Sequence, residues 1–136
     1  GYGLIRECLK HEIRIIPIPG VSAITAAMSA SGLPSDSFTF HGFLPQKKGR
    51  LKKIQDLSHI DNTIILFESP YRLVKTLTQL LESLGDRSVV VGRELTKLYE
   101  EIIRGNLSEV LEYFSKSKVK GEIVIMIGKK DDRIHF

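Results

Sequence analysis

Hydrophobic positions near the start of the chain change from helical spacing to a continuous run. Apolar residues three and four apart predict an amphipathic helix over residues 3–11. The β-branched run from Ile13 to Ile18 predicts a buried strand that ends at the turn of Pro19 and Gly20. A second helix, capped by Ser22 and ended by Gly32, completes a succession that is typical of an α/β domain.

A boundary is predicted at Pro34-Ser35-Asp36, because these residue types favour turns. After it, short apolar runs predict strands and amphipathic stretches predict helices. The predicted strands cover 37–43, 63–67, 89–91, 100–104 and 123–127, and the predicted helices cover about 48–57, 70–84 and 107–114, followed by a charged tail over 129–136. The strands over 63–67 and 89–91, joined by a helix, predict a βαβ unit. We therefore expect an α/β fold with a mixed sheet flanked by helices.

Details of the pattern indicate how three of these helices begin or face the core. The helix over 48–57 carries Leu51, Ile54 and Leu57 three apart on its predicted buried side. Ser69 is the predicted N-cap of the next helix, with Pro70 in its first position. Asn106 caps the last helix, with Glu109 in the capping-box position.

Composition places the chain among ordinary globular proteins. It is 42% apolar and 26% charged, which is enough to build a core, and no apolar run approaches a membrane span. We expect no membrane partner. A single cysteine, Cys8, forms no internal disulfide and fits a cytoplasmic location. We expect no metal, because no metal-binding spacing is found among His11, His41, His59 and His135.

Positive charge is concentrated in one short segment, although the net charge is only +4. Such a segment attracts phosphate, but it is equally typical of a solvated helix face. Its five cations within seven residues are Lys47, Lys48, Arg50, Lys52 and Lys53.

Four segments that follow predicted strands could bind a ligand, because open α/β sheets bind ligands at the carboxyl ends of their strands. The turn at Gly20 opens a helix whose N–H groups suit a carboxylate or phosphate, or it simply reverses the chain. The other three segments are 68–72, 93–97 and the turn after Ile127.

Charged side chains in two of these segments are candidates for chemistry. Glu68 could accept a proton or a ribose hydroxyl and Arg72 could bind a phosphate; alternatively, the two pair with each other and cap the helix. The segment with Arg93, Glu94 and Lys97 is either a substrate contact or a salt-bridged surface loop.

Six motifs, taken together and in this order, resemble the tetrapyrrole methylase superfamily. They are similar to the branch that methylates the ribose 2′-hydroxyl of a cytidine in the decoding region of small-subunit ribosomal RNA. The motifs are PGVSA at 19–23, ASGLP at 30–34, GFLPQK at 42–47, FESPYR at 67–72, RELTK at 93–97 and GE at 121–122.

The resemblance implies two α/β domains that hold S-adenosylmethionine between them. Residues 35–136 would form the C-terminal methylase domain and residues 1–34 a remnant of the N-terminal cofactor domain, whose earlier loops we expect to lie upstream. It also implies a homodimer that acts on small-subunit ribosomal RNA or the 30S particle. The implied cofactor contacts are Gly20, Ser22, Ala23, Leu66, Phe67 and Glu122.

The resemblance also suggests roles for the charged segments. Glu68 or Glu94 would act as a base or position the hydroxyl, while Arg72, Arg93 and Lys97 hold flanking phosphates. Both acids could instead only orient these cations. The segment from Lys47 to Lys53 would bind the RNA backbone.

Two other functions stay open at this point. One is a tetrapyrrole methylase of cobalamin synthesis, although a porphyrinoid would require a larger apolar cleft. The other is a non-catalytic module that binds the ribosome.

Overall fold

A computed structural model of the chain describes residues 1–130, 132, 134 and 136. His135 therefore lies outside the described residues, and the predicted tail lies within them only in part. The described elements are α1 (Tyr2–Lys10), α2 (Ala23–Ser31), β1 (Phe38–Phe43), α3 (Arg50–Leu57), β2 (Thr63–Glu68), α4 (Leu73–Leu84), β3 (Ser88–Arg93), β4 (Glu101–Asn106), α5 (Leu107–Ser115) and β5 (Ile123–Ile127).

The five strands form one mixed sheet in the order β1-β2-β5-β3-β4. β1 and β2 are parallel, whereas β5 runs antiparallel to both of its neighbours, β2 and β3. The expectation of an α/β fold with a mixed sheet is confirmed. The predicted βαβ unit needs a correction, because β2 and β3 run in the same direction but β5 lies between them.

The direction of β5 decides which loops meet at one edge of the sheet. Glu68 is paired with Ile123, and Ile123 is paired with Arg93, so the ends of β2 and β3 lie beside the start of β5. The turn after Ile127 therefore lies at the opposite edge, and its prediction as a ligand segment is wrong. The segment that precedes β5 lies instead beside the ends of β2 and β3.

Helices cover the two faces of the sheet unequally. One face packs against α3, α4 and α5 around a large core that includes Ile64, Leu66 and Ile125. The other face packs against α2 through Ala27 and Met28. The Thr63 hydroxyl donates to the Pro34 carbonyl at 2.6 Å, which ties the end of α2 to the sheet. The division into domains at residues 34 and 35 remains a prediction.

The strand predicted over residues 13–18 does not form. Residues 11–22 lie outside the helices and strands, and Ile16 and Ile18 are exposed. A strand is stable only when a neighbour pairs with its N–H and C=O groups. The described strands pair only with one another, so this β-branched run has no ladder to join.

The buried face of α3 is rotated from the one predicted. Ile54 and Leu57 are fully buried as expected, but Leu51 is 61% exposed and Arg50 is only 5% exposed. The spacing from Arg50 to Ile54 to Leu57 also follows one helix face. Because the Arg50 guanidinium finds hydrogen-bond partners in the interior, this face is the buried one.

The ends of the remaining helices agree with the pattern except at α4. That helix begins at Leu73 with Arg72 as its N-cap, so the prediction of Ser69 as N-cap is wrong. The Arg72 N–H donates to the Ser69 carbonyl at 2.9 Å, which closes a turn in front of the helix. In α5 the capping box is confirmed, since the Glu109 carboxylate accepts the Asn106 N–H at 2.8 Å.

Candidate functional site

Two adjoining cavities form a cleft between the start of α2 and the edge of the sheet where β2 and β3 end. Their volumes are about 570 and 440 Å³, within the range of small-molecule sites. They share Ala23, Glu122 and Val124. The larger is also lined by Gly20, Val21, Ser22, Thr25, Ala26, Ser29, Leu95, Thr96 and Lys97, and the smaller by Phe43, Phe67, Glu68, Ser69, Pro70, Gly121 and Ile123.

The N-terminus of α2 faces the larger cavity. Ser22 is the extended N-cap residue, with φ −138° and ψ 126°, and its side chain makes no cap hydrogen bond within the described part of the chain. The Ala26 N–H donates to the Ser22 carbonyl at 2.9 Å, which leaves the N–H groups of the first turn to the cleft. The positive end of a helix dipole suits a carboxylate or phosphate.

Lys97 stands on the opposite wall of this cavity between two carboxylates. Its ammonium donates to Glu94 Oε1 at 3.0 Å and to Glu122 Oε2 at 2.9 Å. The hydrogen bond to Glu122, and then that to Glu94, raises the pKa of Lys97. Lys97 therefore stays charged at neutral pH, and with Glu94 and Glu122 it forms a cluster of one cation and two carboxylates beside the cleft.

Glu94 is held by the backbone as well as by Lys97. The Glu122 N–H donates to Glu94 Oε1 at 2.8 Å, and the Glu94 N–H donates to the Glu122 carbonyl at 2.9 Å. The bond from the Glu122 backbone, followed by that from Lys97, lowers the pKa of Glu94. A carboxylate with a lowered pKa is a weak base, so the geometry favours an orienting role.

Backbone strain accompanies this arrangement. Glu94 and Thr96 both have positive φ angles, 49° and 65°. Gly121 has φ 94°, and a Cβ added to it would lie 2.6 Å from the Glu94 carboxyl carbon. Conformations of this kind cost about 1–3 kcal/mol for a non-glycine residue and cluster at functional sites.

Glu68 is part of a buried structural network. It is 3% exposed, and its Oε1 accepts the Ser69 N–H at 2.7 Å and Arg72 Nε at 2.9 Å. Its Oε2 accepts the Thr76 hydroxyl at 2.6 Å and lies 3.6 Å from Arg50 Nη2. Both oxygens are engaged, so the geometry does not favour Glu68 as a base, and its predicted pairing with Arg72 is confirmed.

Arg50 belongs to the same network and not to an exposed basic patch. Its Nε donates to Gln79 Oε1 at 2.8 Å, its Nη1 to the Pro45 carbonyl at 3.1 Å and its Nη2 to the Thr76 hydroxyl at 2.6 Å. The prediction that Arg50 is available to RNA is wrong for this reason. The exposed part of the segment consists of Lys47, Lys48 and Lys52, with Lys53 half-buried.

The remaining predicted site residues separate into those at the cleft and those away from it. Leu66 is fully buried on the other face of the sheet, among α3, α4 and α5, and lines neither cavity. Arg93 Nε donates to Glu101 Oε2 at 2.7 Å and the side chain lies on the α5 side. The structure therefore brings together Gly20, Ser22, Ala23, Phe67, Glu94, Lys97 and Glu122, but not Leu66, Arg72 or Arg93.

Sequence reasoning missed several residues that line the cleft. Thr25 and Ser29 lie on the exposed side of α2, and their spacing of four was a usable signal. Leu95 and Thr96 lie inside the charged segment 93–97. Nothing in the pattern distinguished Val124 from the rest of its apolar strand.

Two further findings concern metals and membranes. Within the described residues, no group of three or more His, Cys, Asp or Glu side chains could hold a metal ion. Across the same residues, none of the helices has the length and apolar character needed to cross a membrane.

The fold and the cleft together have the form found in a known class of enzymes. The profile of the Tetrapyrrole (Corrin/Porphyrin) Methylases matches residues 1–111, and the chain belongs to this family. Curated relatives named ribosomal RNA small subunit methyltransferase I include one from Thermotoga maritima, 43% identical, and one from Mesorhizobium japonicum, 47% identical. The matches cover 96% and 94% of this chain but 59% and 45% of those proteins. The chain thus spans about half the length of the curated relatives it matches.

Solved structures share the fold at low sequence identity. A cobalt precorrin-4 methyltransferase matches with a TM-score of 0.62 and 23% identity over 93% of this chain and 59% of its own. A uroporphyrin-III C-methyltransferase from Thermus thermophilus, complexed with S-adenosylhomocysteine, matches with a TM-score of 0.60 and 20% identity over 94% and 58%. The resemblance inferred from the motifs is confirmed.

Proposed function

We propose that the whole protein, including any sequence beyond this chain, transfers a methyl group from S-adenosylmethionine to the ribose 2′-hydroxyl of a cytidine in small-subunit ribosomal RNA. The observation that carries the proposal is the cleft between the start of α2 and the Lys97–Glu122 pair. The relatives named ribosomal RNA small subunit methyltransferase I, at 41–47% identity, support methylation of this class of RNA.

The residues of the cleft fit an amino-acid-linked nucleoside. The open N–H groups at the start of α2 suit its carboxylate. Glu122, which has an 83% exposed side chain, offers a carboxylate to an ammonium or ribose hydroxyl. Phe67, Leu95 and Val124 offer apolar walls. Once bound, S-adenosylmethionine supplies an electrophilic methyl group on a sulfonium sulfur.

Lys97 lines the larger cavity, and we assign it to the reacting ribose. Two of its three N–H groups donate to Glu94 and Glu122, and the third is left to donate to a ribose oxygen or a flanking phosphate. Glu94 and Glu122 hold the ammonium in place. Glu94 does not take the proton of the ribose hydroxyl, which passes to solvent water as the methyl group is transferred and S-adenosylhomocysteine leaves. The orienting role of Glu94 follows from its hydrogen bonds to Lys97 and the Glu122 backbone and from its lowered pKa.

The exposed lysines that follow β1 bind the RNA backbone in this proposal. Lys47, Lys48 and Lys52 are exposed at the edge of the sheet that carries the cleft. Because each phosphate contact releases counterions, binding weakens as salt rises. An enzyme with this substrate works in the cytoplasm on the 30S particle, and we propose that it does so as a homodimer.

The rival functions are less well supported. The neighbours that act on tetrapyrroles are at most 23% identical and therefore show the fold alone. A non-catalytic RNA-binding module would leave the cleft and the strained backbone of Glu94 and Thr96 without a role.

The first test is calorimetric titration of S-adenosylmethionine into the whole protein, followed by methyl transfer to 30S particles. We expect binding and transfer.

Lys97→Met is expected to lower the rate of transfer by roughly a hundredfold, and Glu94→Gln by less than about tenfold. Failure of the wild-type protein to bind the cofactor contradicts the proposal and favours the non-catalytic module. A loss of transfer in Glu94→Gln as large as that in Lys97→Met returns the role of base to Glu94.

A further inference from the structure

A small polar cavity lies at the same edge of the sheet as the cleft but on its α5 side. Its volume is about 240 Å³. It is lined by Arg93, Glu101, Tyr113, Phe114, Ser117, Lys118, Val119 and Lys120. We call Arg93, Lys118 and Lys120 the α5-side cations; Lys118 and Lys120 are exposed.

Arg93 is held in a fixed orientation. The Tyr113 hydroxyl donates to Glu101 Oε1 at 2.6 Å, and Glu101 Oε2 accepts Arg93 Nε at 2.7 Å. Arg93 Nη1 donates to the Lys120 carbonyl at 3.4 Å, and Nη2 has no acceptor among the described residues. Because Arg93 Nε and Nη1 are already hydrogen-bonded, Nη2 can donate to a ligand with little further loss of side-chain entropy.

Charge in this cavity is positive. Glu101 offsets one of the three α5-side cations, and within the described chain neither Lys118 nor Lys120 has an acidic partner. Ser117 adds a hydroxyl donor. A planar guanidinium, two ammonium groups and a hydroxyl together match the chemistry of a phosphate group.

The cavity and the cleft are connected by a very short stretch of chain. Lys120 lines the cavity and Glu122 lines the cleft, and only Gly121 separates them. Two residues of chain span at most roughly 7 Å. The cavity and the cleft are therefore close enough for one RNA strand to contact both.

We propose that the α5-side cations bind the phosphate backbone of the RNA next to the nucleotide that is methylated. This inference rests on the proposed function and adds a second contact, on the other side of the cleft from Lys47 and Lys48. The RNA would then cross the edge of the sheet, held on both sides of the reacting ribose.

The test compares two double variants of the whole protein, Lys118→Gln with Lys120→Gln and Lys129→Gln with Lys130→Gln. The second pair follows β5 at the opposite edge and is the matched control. Affinity for a short fluorescein-labelled single-stranded RNA is measured by anisotropy over a range of salt concentrations. Cofactor affinity is measured in parallel by calorimetry.

We expect the Lys118/Lys120 variant to bind the RNA roughly fivefold more weakly and its salt slope to fall by about 1.4, while cofactor affinity and the control pair stay unchanged. Equal RNA affinity and salt slope in both variants would overturn the inference while leaving the proposed function intact. Absence of RNA binding by the wild-type protein overturns the inference, whereas the proposed function is decided separately by methyl transfer to 30S particles.

Discussion

His41 is the extra residue of the bulge in β1, where the register with β2 shifts between Phe40 and Gly42. Its Nε2 atom is buried and has no hydrogen-bond partner among the described residues. Burial, and then the charge of Lys53, lowers the pKa of His41. The bulge also turns Phe43 to the same face as Phe40, where both contact the ring of Phe67.

We expect His41 to make the protein less stable as the pH falls below the ordinary histidine pKa of 6.5. In that range the unfolded chain takes up a proton that the folded chain resists, so acid favours unfolding. Urea unfolding of wild type and His41→Gln between about pH 7 and 5.5 measures this. The variant should lose less stability on acidification, whereas His59→Gln, at an exposed position, should follow the wild type. Parallel curves for wild type and His41→Gln would show that His41 does not titrate differently on folding.

At the scale of elements, α3 connects the surface to the interior through one side chain. Arg50 joins the Pro45 carbonyl, the Thr76 hydroxyl and the Glu68 carboxylate. It therefore fixes the loop that carries Lys47 and Lys48 against the end of β2. The position of the exposed lysines depends on this buried network.

Arg50→Met is expected to lower the free energy of unfolding by about 1–3 kcal/mol, because it removes the guanidinium that donates three hydrogen bonds within this network, although Arg72 still pairs with Glu68. Lys52→Met, on the exposed side of the same helix, should change it by less than about 0.5 kcal/mol. Chemical denaturation measures both. Similar effects of the two substitutions would mean that the network contributes nothing particular to stability.

The elements themselves could be predicted from local patterns, but their contacts could not. Periodicity predicted α5 and its capping box, since both depend on residues a few positions apart. The face of α3 depends on whether Arg50 meets Thr76 and Gln79, which lie far along the chain. Likewise, residues 13–18 do not form a strand because none of the described strands pairs with them, which their local pattern does not show. Of the four predicted ligand segments, three line the cleft and the turn after Ile127 does not. The sequence does not show that the Arg93 side chain lies on the α5 side while Lys97 lines the cleft, because that depends on side-chain direction.

At the scale of the whole molecule, apolar surface is exposed on the side of the sheet that α2 covers only in part. Phe38 and Phe43 are exposed on β1, and Ile13, Ile16 and Ile18 are exposed in the segment before α2. Exposed apolar surface of this kind promotes association.

We expect the 136-residue chain to self-associate as its concentration rises, because association buries this surface. The double substitution Ile16→Lys with Ile18→Lys should shift the chain toward monomer in sedimentation velocity. Leu51→Lys, at an exposed apolar position on α3, is the control and should leave association unchanged. A wild-type chain that stays monomeric at all concentrations would refute the expectation.

The central position of β5 has a consequence for the order of folding. During synthesis β2 and β3 emerge well before β5, yet each pairs with β5 and not with the other. Both therefore carry an unpaired edge until the last described strand is made, and such edges are prone to aggregate. Closing the sheet joins segments distant in sequence, which slows folding. A nascent chain stopped before residue 123 would leave β3 and β4 as a separate hairpin without the strand that joins them to the rest of the sheet.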